Sequence, residues 1–307
     1  MEKKQTRILV TGACGQLGCS VVKELLIRGI EVLGTDILPK EAVNVEFPYI
    51  SFDITDSKAV SERLGYIQPT AVIHCAAWTA VDAAEDDENR NKVFNINVSG
   101  TRNLAEACKK IDCKLLYIST DYVFNGQGYE PWDPDCKDYA PLCVYGQSKL
   151  EGELAVSKLL QKYFVVRIAW LFGPKGQNFV KTMLKVGKTH DTVRVVNDQI
   201  GTPTYAPDLA RLLVDMIQTE EYGYYHATNE GGFISWYDFC CAIYKEAGLK
   251  TEVIPVSTAE YGVSKAKRPF NSRLSKEKLT IHGFDRLPDW QDALHRYIMY
   301  LRIEEND

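Results

Sequence analysis

Long apolar runs are missing from this 307-residue sequence, and no stretch approaches the roughly 18 residues that a membrane-spanning helix needs. The opening Met1-Glu2-Lys3-Lys4-Gln5-Thr6 leads into an apolar run too short for the core of a secretory leader. The nine cysteines are odd in number and scattered, and no two are spaced C-x-x-C. That argues against a disulfide framework and against a structural zinc site. Basic clusters are missing too. The formal net charge is −5 with no long Lys/Arg run, so the cationic face that nucleic acid requires is not present. Internal repeats and low-complexity tracts are absent. These absences predict a cytoplasmic protein with reduced thiols, without a membrane, nucleic-acid or metal partner.

What the sequence does hold is alternation. Thr6 to Val10, Glu31 to Thr35, Tyr49 to Phe52, Ala71 to Cys75, Lys114 to Ser119 and Tyr163 to Ile168 read as short buried strands. Gln16 to Arg28, Asn89 to Lys110 and Tyr145 to Leu160 carry helical apolar spacing. Alternating strands and helices predict an α/β fold: a Rossmann-type, doubly wound parallel sheet with helices on both faces. The second half is punctuated by Gly173-Pro174, Gly201-Thr202-Pro203, Gly231-Gly232 and Arg268-Pro269. It reads as a smaller, partly interleaved substrate lobe. The expected division is a dinucleotide-binding domain over 1–170 and a substrate lobe over 171–307, with some segments returning to the first unit. A C-terminal helix is expected near Pro288-Asp289-Trp290, with a frayed tail from Glu304 to Asp307.

The first strand runs into Gly12-Ala13-Cys14-Gly15-Gln16-Leu17-Gly18, which opens the first helix. Glycines in such a turn let the backbone approach a pyrophosphate, and the helix N-terminus offers it unpaired N–H groups. The second strand ends at Asp36, the position of an acidic residue that takes a ribose 2′-OH. A carboxylate there repels a 2′-phosphate and tilts the choice toward NADH over NADPH. Phe52-Asp53-Ile54 ends a further strand, and the small residues of Cys75-Ala76-Ala77 leave room for a cofactor across the sheet edge.

Tyr145 and Lys149 stand four apart on a predicted helix, one turn apart on one face. A phenol titrates near 10, too high for efficient proton donation at neutral pH, and a nearby ammonium lowers it. With 17 tyrosines about one such spacing arises by chance. A second copy, Tyr261 and Lys265, lies beyond the alternating pattern and is read as coincidence. Tyr145 has better company, because the strand Leu115 to Ile118 ends in Ser119-Thr120-Asp121. A hydroxyl at a strand's C-terminal edge sits where substrates bind in such sheets, so Thr120 is expected to hydrogen-bond a reacting carbonyl.

These segments resemble the extended short-chain dehydrogenase/reductase superfamily and, more narrowly, the dTDP-4-dehydrorhamnose reductases. The likeness runs in order along nearly the whole chain. It is carried by Ala76 to Glu85, Asn95-Ile96-Asn97, Ser119 to Phe124, Val144 to Glu153, Gly176-x-Asn178-Phe179-Val180, Asp198-Gln199-x-Gly201-x-Pro203-Thr204 and Arg268-Pro269-x-x-Ser272-x-Leu274. The resemblance implies hydride transfer from NADPH or NADH to the C4 ketone of dTDP-4-dehydro-L-rhamnose, with Thr120, Tyr145 and Lys149 catalytic. It implies cofactor contacts from Gly12, Cys14, Gly15, Gln16, Leu17, Gly18, Asp36, Ala76, Ala77, Tyr145 and Lys149, with the adenine near Asp53 and Ile54. Thr79, Val81, Thr120, Asp121, Trp170, Asn178, Phe179 and Arg268 then face the nucleotide-sugar substrate. Arg167, Asp198 and Gln199 are further candidates that serve equally well as ion-pair or turn residues. One departure concerns assembly: Gly18-Cys19-Ser20 lacks the helix carboxylate of a Mg²⁺-linked dimer contact, so any homodimer is expected to form without that bridge. Two alternatives share the motifs. One is a reductase or epimerase acting on another nucleotide sugar. The other is a non-catalytic, NADP-binding regulatory subunit similar to that of methionine adenosyltransferase.

Overall fold

The computed structural model describes residues 7–262 and 264–304, so Met1 to Thr6, Val263 and the tail from Glu305 to Asp307 lie outside the described residues. In chain order the first half runs β1 (Arg7–Thr11), α1 (Gln16–Ile27), β2 (Glu31–Asp36), β3 (Tyr49–Ser51), α2 (Ser57–Ile67), β4 (Ala71–His74), α3 (Asp87–Phe94), α4 (Thr101–Lys110), β5 (Lys114–Thr120), α5 (Val144–Leu159) and β6 (Tyr163–Ile168). The second half holds β7 (Leu171–Phe172), α6 (Phe179–Gly187), β8 (Thr192–Val196), β9 (Ile200–Gly201), β10 (Thr204–Tyr205), α7 (Ala206–Ile217) and β11 (Gly223–His226). It closes with β12 (Ile234–Ser235), α8 (Trp236–Ala247), β13 (Glu252–Val256), α9 (Thr258–Tyr261), α10 (Glu277–Ile281) and α11 (Trp290–Glu304).

Seven strands form one parallel sheet in the order β11-β6-β5-β4-β1-β2-β3. The central strands are buried on both faces, as continuous apolar runs must be in a sheet covered twice. On one face Leu17, Val21 and Leu25 of α1 meet Leu209 and Leu213 of α7 over Val10 and Ile73. On the other, Leu64 of α2, Leu104 and Cys108 of α4 and Val156 of α5 cover Leu9, Val72 and Leu115. The doubly wound sheet is the one expected from the alternation. Beyond β6 the chain makes a separate core of Phe172, Val180, Tyr205, Phe239, Trp290, Leu294 and Tyr297. Three short strand pairs, β7 with β10, β9 with β12 and β8 with β13, build the lobe around it. The chain returns to the main sheet through α7 and β11, and Leu279, Phe284 and Leu287 later join the core on that face.

Local chemistry sets the ends. Asp56 caps α2 by accepting from the N–H groups of Lys58 and Ala59. A reciprocal Ser235–Asp238 capping box starts α8, and Gly248 ends it in the left-handed region. The single long helix expected over Asn89–Lys110 differs in one respect: a π segment, Asn95–Gly100, joins α3 to α4. That widened turn turns the buried Asn97 inward. There its side chain accepts from Trp78 N at 2.8 Å and donates to Trp78 O at 3.2 Å and Ser148 Oγ at 2.9 Å.

One charged pair is sealed inside. Arg167 of β6 and Glu153 of α5 have fully buried side chains and join through Nε–Oε1 at 2.9 Å and Nη2–Oε2 at 2.8 Å. The guanidinium also donates to Pro134 O and Tyr139 Oη, each at 3.0 Å. Arg167, one of the further site candidates, is therefore committed to the fold. Replacing it by Met leaves Glu153 buried and unpaired. The expected loss is about 3–5 kcal/mol of stability, read as a lowered urea midpoint at unchanged slope; an unmoved midpoint contradicts it.

Candidate active site

A cleft of about 660 Å³ runs across the C-terminal ends of the sheet strands, where open α/β sheets bind ligands. One end is made of backbone. Gly12 has φ +64, and a Cβ there would stand 2.7 Å from Ala76 N. A Cβ on Gly18 would fall 2.1 Å from Gly12 O. The turn is thus packed main chain against main chain, and only glycine fits at these two positions. The helix α1 begins with no side-chain cap and no acidic residue in its first turn, so its N-terminal N–H groups face the cleft as an anion site. Asp36 lines the cleft with its carboxylate held by Cys14 N at 3.2 Å and Ile37 N at 2.8 Å. Gly15, Gln16, Leu17, Asp53, Ile54, Ala76 and Ala77 line the same end. Cys14 does not. Burial and Asp36 push its thiol up, so it is a poor nucleophile.

The other end gathers Thr120, Asp121, Tyr145 and Lys149. Thr120 ends β5, and its hydroxyl caps the following 3₁₀ turn, accepting from Tyr122 N at 3.3 Å and donating to Asp121 Oδ1 at 2.9 Å. The Tyr145 phenol, from the first turn of α5, lines the same end of the cleft. Tyr122 meets the Tyr145 ring edge-on, with centroids 5.6 Å apart. Lys149 is 3% exposed. Its Nζ donates to Ile118 O at 2.7 Å and lies 4.1 Å from the centroid of the Tyr117 ring. Burial pushes this ammonium down to about 7, against the opposing pull of Glu153.

The expected lowering of the Tyr145 phenol by its lysine is opposed by the phenol's other surroundings. Burial first, and the Asp121 carboxyl second, push the phenol up. Burial also pushes Asp121 up to about 6, against the Ser272 and Thr120 hydroxyls that favour its ionised form.

Thr79, Val81 and Trp170 line the outer cleft. Trp170 has φ +51, a strained conformation for an aromatic residue. Its ring stacks on Trp236 at 3.8 Å and 18°. Trp236 opens α8 and brings the second lobe into the cleft; it escaped sequence reasoning, although the capping box beside it was a readable signal. Tyr122 escaped as well. Asn178, Phe179 and Arg268 do not line the cleft. Asn178 caps α6 and donates to Gln16 Oε1 at 3.0 Å and to Tyr297 Oη at 3.1 Å. Phe179 packs on Trp236 and Phe239. Arg268 bonds Asp82 Oδ2 at 2.6 Å and Tyr122 Oη at 3.2 Å. Asp198 and Gln199 both hydrogen-bond Thr258 within the second lobe. Tyr261 and Lys265 lie outside the cleft, with Lys265 paired to Asp86. Among the described residues no group of three or more His, Cys, Asp or Glu is placed to hold a metal ion, and no helix is long and apolar enough to cross a membrane.

The family model described as RmlD substrate binding domain matches residues 6–303. A dTDP-4-dehydrorhamnose reductase of Aggregatibacter actinomycetemcomitans is 39% identical, over 96% of this chain and 99% of its own. The chain belongs to the dTDP-4-dehydrorhamnose reductase family. Solved structures in this family superpose closely. That of Clostridium acetobutylicum gives a TM-score of 0.88 at 40% identity, covering 97% of this chain and all of its own. That of Bacillus anthracis, in complex with NADP, gives 0.84 at 39% over the same shares. The family uses NADPH or NADH, and the Asp36 carboxylate bears on the choice. Asp36→Ser removes a charge that repels a 2′-phosphate. It is expected to raise the affinity for NADPH relative to NADH by about tenfold, or 1.4 kcal/mol, measured by fluorescence titration of both; an unchanged ratio contradicts it.

Proposed function

We propose that this chain reduces the C4 ketone of dTDP-4-dehydro-L-rhamnose to the alcohol of dTDP-L-rhamnose, drawing the hydride from NADPH or NADH. The observation that carries this reading is the convergence, in one cleft, of a glycine turn with no room for a Cβ and the side chains of Thr120, Tyr145 and Lys149. Residues 1–170 then form the dinucleotide unit and 171–307 mainly the substrate lobe, and the reaction is placed in the cytoplasm with its nucleotide-sugar substrate.

The residues present fit a nicotinamide dinucleotide. Gly12, Gly15 and Gly18 with the N-terminus of α1 would hold the pyrophosphate, and Asp36 the adenosine ribose. The bound cofactor supplies a hydride. The chain's own residues handle the proton and the orientation. Tyr145 donates its proton to the C4 oxygen as the alcohol forms, which is general acid catalysis by a phenol that lines the cleft with Thr120. Thr120 is the second hydroxyl at that oxygen. Lys149, one helical turn from Tyr145, is the cation placed to hold the nicotinamide ribose. The stacked Trp170 and Trp236, with Thr79 and Val81, shape the wall for the sugar and exclude water from it.

Two outcomes test this. Absorbance at the reduced-nicotinamide band, with the keto sugar nucleotide generated in place by upstream enzymes, is expected to decay stoichiometrically with product. A cofactor that is bound but not consumed overturns the reading. In the same assay Tyr145→Phe is expected to lower kcat by about 10²–10⁴-fold while cofactor Kd stays within about twofold. Near-normal turnover by this variant removes Tyr145 from the acid's role.

A further inference from the structure

A line of buried polar side chains runs behind the cleft wall, and the reduction as described leaves it without a role. Thr11 ends β1, His74 ends β4, Asn97 sits in the π segment, Thr101 opens α4 and Ser148 lies in α5. Each is at most 1% exposed. The protons along this line are assigned one by one, because a hydroxyl owns a single proton and a carbonyl owns none. Ser148 Oγ gives its proton to Tyr145 O at 2.8 Å, so it accepts from Asn97 Nδ2 at 2.9 Å. Thr101 Oγ1 gives its proton to Asn97 O at 2.7 Å. The contact between His74 Nε2 and Thr101 Oγ1, at 3.1 Å, therefore needs its proton on the imidazole.

The other ring nitrogen follows. Among the described residues no carboxylate bonds this imidazole. The Tyr117 ring lies against it at 5.5 Å, with the Lys149 ammonium 4.1 Å from the same tyrosine ring. Burial first, and Lys149 second, push the imidazole down to about 3, so it is neutral and carries one proton. With that proton on Nε2, Nδ1 is bare and accepts from Thr11 Oγ1 at 2.7 Å. The Thr11 oxygen in turn accepts from Ala76 N at 3.3 Å. Ala76 is the backbone against which Gly12 packs with no room for a Cβ. Hydrogen bonds with every proton placed thus join the glycine turn to the first turn of α5, by way of β4 and the π segment. Thr11 and Tyr145, at the two ends, line the cleft, and the residues between them do not. A fully satisfied buried network of this kind is rigid, and one break leaves its neighbours unpaired.

We propose that His74, as its Nε2–H tautomer, is a positioning residue of the reduction, holding the cofactor turn in register with the helix that carries Tyr145. The proposal rests on the reductase reading above. Hydride and proton must reach one carbonyl from two anchors, the turn after β1 and the first turn of α5. These anchors do not touch through the sheet ladder, where β4 and β5 stand between β1 and β6. The network is their polar link. An imidazole suits the middle of it, because one flat ring presents an acceptor to a strand end and a donor to a helix.

The tautomer is read first, in the wild type and without turnover. Two-bond ¹H–¹⁵N spectra are expected to show the His74 ring protonated at Nε2, bare at Nδ1 and untitrated between about pH 5 and 8. A proton on Nδ1, or titration in that range, overturns the proposal. His74→Leu removes both links. Its kcat is expected to fall about 10–10²-fold, with the KM of the keto sugar nucleotide within about threefold. A lowered urea midpoint with kcat retained makes His74 a structural residue only and overturns the proposal. Thr101→Val keeps its shape, leaves the imidazole in place and cuts the network one step on. It is expected to lower kcat in the same way, and a kcat within about twofold of wild type overturns the link. Ser148→Ala cuts the network at its far end. Adding His74→Leu to it is expected to cost less than about a further twofold, whereas sites without a shared path lose independently. Additive losses overturn the shared path. Failure of the wild type to consume cofactor overturns the reductase reading instead, and the tautomer stays readable in that case.

Discussion

A guanidinium and a carboxylate sealed between a helix and a sheet hold the catalytic end of this molecule in place. Glu153 stands four residues after Lys149 and eight after Tyr145, so the three side chains share one face of α5. The two-pronged bond from Glu153 to Arg167 fixes the rotation of that helix about its own axis. Buried pairs of this kind return little net stability, because desolvation offsets their attraction. What the pair supplies is orientation. The guanidinium also gathers Pro134 O and the Tyr139 hydroxyl, so the segment ahead of α5 is drawn to the same point. A helix turned by one residue would carry Tyr145 away from Thr120.

The two ends of the cleft are built on opposite principles. The cofactor end depends on absent side chains: Gly12 and Gly18 are pressed so closely against backbone that no other residue fits. The charge it offers is the partial charge of peptide groups, which needs no titrating side chain. The inner end depends on side chains whose ionisation is costly. Lys149, Asp121 and Tyr145 are each shifted toward the neutral form, and burial is the leading cause in all three.

Much of this was readable in the sequence, for a physical reason. Strands buried on both faces must be apolar throughout, so Ile8 to Val10 and Ala71 to Ile73 announced a doubly covered sheet. The glycine turn was readable because only glycine tolerates its contacts, and the ends of β5 and α5 because strand and helix termini are punctuated locally. Long-range contacts were not readable. Nothing local says that Lys149 turns to the carbonyl of Ile118, across from its own helix. Asn178 and Phe179 lie in a shared segment but are drawn into capping α6 and into the aromatic core of the second lobe. Trp236 reaches the cleft only because β12 pairs with β9. The π segment was hidden because Asn97 answers to partners 19 residues before it and 51 after it.

The seventh strand of the main sheet has a consequence for the order of synthesis. β11 (Gly223–His226) pairs with β6 and caps that edge of the sheet. A ribosome that has released the first 170 residues has released the glycine turn, the Tyr145 helix and six of the seven strands. At that moment β6, with Phe164, Val165 and Val166 at its centre, is an open edge of unpaired peptide groups on an apolar strand, a template for pairing with another nascent chain. The interleaved topology keeps that edge uncovered until about 60 further residues emerge, at the ~5–20 residues per second of translation. The second lobe is thus also the stretch of chain through which the sheet must wait for its last strand.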